Sequence, residues 1–155
     1  ETPDIKYHLM SQRPGDFFIA QSGLLGSDKT RSPDHQVVFQ SAGSEYVLKD
    51  GEQNLVVDLV WQADDGVSVT KRFTFERDKH SFTLEHIINN QSAEAWAGRE
   101  YRQLQRGEPA DSGSIFMYTY TGGAIYSEAD KYQKYDFKEL AGGELDRDVK
   151  DGWIS

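Results

Sequence analysis

The feature that most constrains this chain is an alternation of apolar and polar side chains through its middle third. In VSVTKRFTFE (67–76), four of the five odd positions are apolar and no even position is. The segments NLVVDLVWQ (54–62) and SFTLEHIINN (81–90) carry apolar residues at the same two-residue spacing. Successive side chains of a strand point to opposite faces, so this spacing predicts half-buried β-strands and argues against helices.

Two turn signals join these segments. Asp65-Gly66 suits a tight hairpin, because glycine accepts the positive φ that such a turn demands. The polar segment RDKH (77–80) has the length of a second hairpin loop. The sequence therefore predicts three consecutive antiparallel strands between residues 54 and 90.

The remaining signals are shorter. DFFIAQSGLL (16–25) and HQVVFQ (35–40) predict strands, and SEYVLKDGE (44–52) predicts a short strand that runs into a turn. AEAWAGREYRQLQRG (93–107) has helical propensities, but it lacks an apolar helical stripe, so we favour a strand there. GEPADSGS (107–114) predicts a loop. Many short strands without a long helix predict an all-β sandwich or barrel.

Length and charge narrow the class of protein. A chain of 155 residues is most simply one domain. Its 26 acidic and 17 basic side chains give a net charge of -9, which argues against a nucleic-acid partner. No apolar run approaches the ~18 residues that a membrane-spanning helix needs. The absence of cysteine excludes disulfides and thiolate zinc sites.

A search for catalytic or metal-binding motifs finds no specific match. The histidines, at positions 8, 35, 80 and 86, show no metal-ligand spacing. DRDVKDG (146–152) has the wrong register for a calcium loop, since Asp151 stands where an EF-hand requires glycine. We expect neither a metal nor a cofactor.

Sugar chemistry is the enzymatic alternative that the sequence leaves open. Glycosidase carboxylates meet in space and not in sequence, and Glu85, Glu100 and Glu108 are nominal candidates. A mutarotase would need a histidine acid and a glutamate base at one cleft, for which His80 and His86 are the available histidines.

Tyrosines concentrate in YTYTGGAIYSEADKYQKYDF (118–137), which holds five of the chain's eight. They either pack against a hairpin, as we expect first for Tyr118 and Tyr120, or they form a surface for a partner protein, because tyrosine is enriched at interfaces. For Tyr132 and Tyr135 the two readings are equally supported. The candidate contact residues are Tyr120, Tyr126, Lys131, Tyr132, Lys134 and Tyr135.

The same segment, continued through GGELDRDVKDGWIS, resembles the large periplasmic domain of the YidC family of membrane protein insertases of Gram-negative bacteria. That family carries a similar tyrosine- and lysine-rich segment followed by a Gly-Trp pair, which here is Gly152-Trp153. Upstream, AQSGLLG (20–26) and LVWQADDGVSVTKRFTFERD (59–78) match the family in order and spacing. The likeness covers most of the chain.

The resemblance implies a β-supersandwich of antiparallel strands, similar to galactose mutarotases. It implies that residues 1–155 are the central portion of the periplasmic domain, incomplete at both ends. The domain would be non-catalytic, would lie in the periplasm as part of a multi-pass inner-membrane protein, and would assist the insertion and folding of nascent inner-membrane proteins, alone or with the Sec translocon. The implied partners are SecD and SecF, with contacts in about 118–155. The alternative is a carbohydrate-binding or mutarotase-like protein.

Overall fold

The structure, a computed structural model, describes residues 10–107, 120 and 122–155. These residues form nine strands, one short α-helix and a 3-10 turn at Lys29–Arg31. The elements are β1 (Phe18–Gly26), β2 (Gln40–Ser41), β3 (Asn54–Gln62), β4 (Val67–Glu76), β5 (Phe82–Asn90), β6 (Gly98–Arg106), β7 (Gly123–Ser127), β8 (Lys131–Tyr135), α1 (Phe137–Ala141) and β9 (Trp153–Ile154). The all-β prediction is confirmed. Within these residues no helix has both the length and the apolar composition needed to cross a bilayer.

The strands form three hydrogen-bonded groups. β2, β3, β4 and β5 make an antiparallel four-stranded sheet in that order, β8-β7-β9 make an antiparallel three-stranded sheet, and β1 pairs with β6. The chain divides into two compact units. One is Ala20–Gln103, called the first unit below, and the other consists of the described residues on either side of it, called the second unit.

The meander predicted between residues 54 and 90 is confirmed. β3 pairs with β4 and β4 with β5, both antiparallel. At the first turn Gly66 has a φ of 97°, and the backbone N–H of Val67 donates to the Asp65 carboxylate at 3.1 Å. The Asp-Gly pair therefore closes the hairpin as its chemistry predicts.

The odd-numbered positions of β4 belong to the sheet face that is buried at the β3–β4 turn. Val67 and Val69 are completely buried there, whereas Phe75 and its β5 partner Phe82 are 38% and 47% exposed. On the even-numbered face, Arg72 makes a two-pronged ion pair with its cross-strand partner Asp58, at 2.8 and 2.7 Å. The alternation in the sequence thus corresponds to two chemically different faces.

Two predicted strands are wrong. In HQVVFQ (35–40) only Gln40 is in a strand, because the preceding amides bond to side chains: Gln36 N–H donates to the Asp34 carboxylate and His35 N–H to the Tyr101 hydroxyl. SEYVLKDGE (44–52) forms only the turn, where Gly51 has a φ of 84°.

Arg77 donates to backbone carbonyls within that turn segment, at Lys49 and Glu52, and so holds it without strand pairing. The strand favoured over a helix in residues 93–107 is confirmed as β6. The loop predicted at 107–114 lies, after Gly107, outside the described residues.

Candidate functional site

The tyrosine-rich segment folds into the three-stranded sheet of the second unit. β7 and β8 form a hairpin in which Tyr126 is directly opposite Tyr132, and β9 pairs along the other edge of β7, with Trp153 opposite Tyr126. Ser127 caps the hairpin turn by accepting from the N–H of Asp130 at 3.0 Å. Two tyrosines of one hairpin and the distant Trp153 therefore lie on one face of the sheet.

We call this surface the Trp153 face. By register it comprises Ala124, Tyr126, Tyr132, Lys134 and Trp153. The indole of Trp153 stacks on the ring of Tyr126, with centroids 6.0 Å apart and planes at 15°, and it also lies 5.8 Å from the ring of Tyr132. Such offset ring pairs add packing energy beyond the area that they bury.

A lysine ammonium group extends the Trp153 face beyond its three rings. Lys134 Nζ lies 4.6 Å from the centroid of the Tyr120 ring and 5.6 Å from that of Tyr132, so two phenol rings surround one cation. Both distances are within cation–π range. The Tyr120 hydroxyl donates to the carbonyl of Gly123 at 3.1 Å, which fixes the ring beside the sheet.

Two glycines permit the close backbone approaches that build this surface. A Cβ on Gly152 would overlap the carbonyl oxygen of Tyr126, and one on Gly122 would overlap the carbonyl oxygen of Tyr135. Gly152 directly precedes Trp153, so its missing side chain is what lets β9 lie against β7. This is a physical reason for the Gly-Trp pair in the sequence.

The Trp153 face is accessible to solvent, and its groups are suited to binding rather than to catalysis. Tyr132 is 52% exposed and Trp153 48%. The Tyr126 hydroxyl donates to the Glu128 carboxylate at 2.9 Å, which raises the pKa of Tyr126. Hydrogen bonds from Lys131 and then Tyr126 lower the pKa of Glu128. The sequence has no histidine after residue 86 and no cysteine. These groups can bind a molecule by stacking and charge, but they include no poised nucleophile or general base.

The six candidate contact residues do not share one surface. Tyr126, Tyr132 and Lys134 are on the Trp153 face, and Tyr120 packs against Lys134. Tyr135 and Lys131 belong by register to the opposite face, where the half-buried Tyr135 hydroxyl donates to Gln133 at 2.5 Å.

Sequence reasoning did not include Trp153 in the candidate set, because its pairing with β7 spans 27 residues and leaves no local signal. Tyr118 lies outside the described residues.

Sequence reasoning also missed a polar pair in the first unit. Lys71 is the one odd-numbered position of β4 that is not apolar, and His86 interrupts the apolar spacing of β5. The two residues are cross-strand partners. A signal was available: counting outward equally from the predicted loop at 77–80 brings position 71 opposite position 86. Two polar residues that interrupt the apolar pattern and face each other across the strands indicate a polar pair within the apolar face.

Each member of the polar pair contacts a different strand. Lys71 is 8% exposed, and its ammonium donates to the carbonyl of Ser22 on β1 at 2.6 Å. The His86 side chain is 4% exposed, and its Nδ1 is 3.0 Å from a carboxylate oxygen of Glu100 on β6. Burial lowers the pKa of both Lys71 and His86. Arg102 is the main cause of a lowered pKa at Glu100.

The contact between His86 and Glu100 bears on the sugar hypothesis, since both were candidates for it. The two side chains bond to each other, and the imidazole is almost fully buried. A mutarotase acid and base must instead face one substrate in a cleft. Of the other candidates, His80 is exposed in a loop, Glu85 is the cross-strand partner of Arg72, and Glu108 is outside the described residues.

Metal-binding geometry is also lacking in the part of the chain that the structure describes. No group of three or more histidine and carboxylate side chains is placed to hold a metal ion there. An open hollow of about 640 Å³ near Arg31 is lined by acidic, small and hydroxyl side chains, without an aromatic ring on which a sugar could stack. Arg31 is itself engaged by Asp65 and Ser92, at 2.5 and 2.6 Å.

Comparison with known proteins gives consistent matches. The family model described as the YidC periplasmic domain matches residues 1–155. The membrane protein insertase YidC of Methylococcus capsulatus is 41% identical over 157 residues, covering 100% of this chain and 28% of that protein. The protein of the same name from Thioalkalivibrio sulfidiphilus is 39% identical, covering 99% of this chain and 28% of its own length. That from Pseudomonas syringae is 33% identical, covering 100% and 28%. The chain thus spans about 28% of the length of these relatives.

Proposed function

The chain belongs to the family of YidC periplasmic domains, and on that premise we propose that it is a non-catalytic docking domain of an inner-membrane insertase. In this proposal the parent protein assists the insertion and folding of nascent inner-membrane proteins, alone or with the Sec translocon. The domain lies in the periplasm and binds SecD and SecF or substrate segments.

The observation that carries the proposal is the Trp153 face. It combines two half-exposed aromatic rings, Tyr132 and Trp153, with the lysine cation of Lys134. Aromatic side chains give large contact areas at low entropic cost, and they dominate the binding energy of protein interfaces. Hydrogen-bonded strands hold these rings in place, so little order has to be gained on binding.

A set of single variants tests the docking role. Tyr132→Ala should weaken binding to the purified periplasmic regions of SecD and SecF by roughly 1–3 kcal/mol, as loss of an aromatic hot spot does. Isothermal titration calorimetry on folded variants measures this. Tyr135→Ala, on the opposite face of the same sheet, and Phe82→Ala, of similar exposure but in the first unit, are the matched controls.

The outcomes separate the alternatives. Loss of affinity in Tyr132→Ala with both controls unchanged supports docking through the Trp153 face. Equal loss in Tyr135→Ala would move the interface to the other face, and unchanged affinity in Tyr132→Ala ends the proposal for this surface. The carbohydrate-binding alternative would require saturable binding of a sugar by the same chain, which the same calorimeter detects.

A further inference from the structure

The polar pair of Lys71 and His86 has a consequence separate from docking. It lies on the sheet face that contains the completely buried Val67 and Val69. Lys71 joins β4 to β1 through the Ser22 carbonyl, and His86 joins β5 to β6 through Glu100. The two bonds start from neighbouring positions and attach both members of the β1–β6 pair to the meander.

Charged and aromatic groups surround the pair. Glu100 is a partly exposed carboxylate that already accepts two hydrogen bonds from Arg102, at 2.9 and 3.2 Å. Two further groups lie near Lys71. The Phe39 ring is 4.5 Å from its ammonium, and Asp34 acts on it through its charge. His86 Nε2 is buried without a hydrogen-bond partner in the described structure.

We propose that this arrangement makes the first unit acid-sensitive: a proton on His86 places a second cation beside the buried Lys71 ammonium and loosens β1 and β6 from the meander. A neutral imidazole can donate Nδ1–H to Glu100 and leave Nε2 as a bare acceptor. Protonation would turn buried Nε2 into a charged donor with no acceptor, and such a group is costly to bury.

The direction and the pH window follow from linkage. Burial first, and then the Lys71 and Arg102 charges among the weaker causes, hold the pKa of His86 below its usual 6.5, against the opposing effect of Glu100. The unfolded state then binds the proton more readily than the folded state. The contribution of His86 to stability is complete above about pH 6.5 and is lost as the pH falls below that value. This window lies above the ordinary pKa values of carboxylates, 3.8 and 4.5.

The second unit supplies an internal control. The three-stranded sheet contains no histidine, since none follows residue 86 in the sequence. Hydrogen exchange followed by NMR on the whole chain at pH 7.5 and 5.5 compares the two units in one sample. Protection factors, corrected for the intrinsic exchange rate, should fall by up to about tenfold in β1 and β6, and in β4 and β5 to which they attach, at the lower pH. Those of β7 and β8 should be unchanged.

Three variants assign the effect. His86→Gln keeps a polar side chain that cannot become charged, so the difference between the two pH values should disappear. Lys71→Met removes the neighbouring cation while His86 remains, so the difference should shrink. His80→Gln, at an exposed loop histidine, should leave it unchanged. Equal protection in the wild-type chain at both pH values, or a difference that survives in His86→Gln, would overturn the proposal. The Lys71→Met result decides the same question if His86→Gln does not fold.

Discussion

The four-stranded and the three-stranded sheets place lysine side chains in opposite environments. In the first unit, a lysine and a histidine lie on a buried apolar face, and Lys71 and His86 both have bonding partners within the chain. In the second unit, aromatic rings lie half exposed on a sheet face, around the lysine cation of Lys134. In the first unit these side chains hold strands of the chain to one another, whereas in the second unit they remain open to solvent and to the partner proposed above.

The largest expected effect is a loss of folding stability at the buried end of the four-stranded sheet. Val69 is completely buried between its cross-strand partners Trp61 and Ile88. Val69→Ala should lower the free energy of unfolding of the first unit by roughly 2 kcal/mol, because lost burial and a cavity add together. Urea denaturation measures this loss. Val38→Ala, at a position that is 84% exposed, is the control and should change stability by less than about 0.5 kcal/mol.

The next effect concerns the close backbone approach of β9 to β7 in the second unit. Gly152→Ala should push β9 away from β7, because the added methyl group overlaps the Tyr126 carbonyl oxygen. Overpacking of this kind costs roughly 1–3 kcal/mol. The exchange rates of the paired amides of Ala124 and Ser155 should rise. Gly143→Ala is the matched control, since nothing lies within 4 Å of its Cβ position. A Gly152→Ala chain with unchanged exchange at those amides would show that β9 does not depend on the close approach.

The smallest expected effect concerns stability at the exposed rings. Tyr132→Ala should lower the free energy of unfolding by less than about 1 kcal/mol, because half of the side chain is already in water. Thermal unfolding followed by circular dichroism measures it. A loss of 2 kcal/mol or more would instead mean that the ring serves packing, and the contrast between the two sheets would fail for this residue.

The sequence predicted the parts of the fold that local physics determines. Two-residue alternation located β3, β4 and β5, and Asp65-Gly66 located their first turn, because both signals act within a few residues. The same reasoning failed for HQVVFQ. There Asp34 and Tyr101 take the amide hydrogens that a strand would use, and one of those partners is 66 residues away along the chain.

The candidate surface was predicted in part for a similar reason. Tyr126 and Tyr132 are close in the sequence, and a hairpin between them follows from the segment itself. Trp153 reaches the surface only through β9, whose pairing no local pattern indicates. Tyr135 was included although an odd spacing from Tyr132 assigns it to the other face of the strand, so strand periodicity could have separated the two.

The stacking of Trp153 on Tyr126 also gives the chain a built-in optical reporter. The other two tryptophans, Trp61 and Trp96, are in the first unit, where Trp96 donates its indole N–H to the carbonyl of Arg31 at 2.9 Å. Trp153 is about half exposed on the surface proposed for docking. A molecule that covers it would remove water from the indole and shift its emission to shorter wavelength. With phenylalanine at positions 61 and 96, the fluorescence spectrum would read the occupancy of that surface directly, without any attached dye.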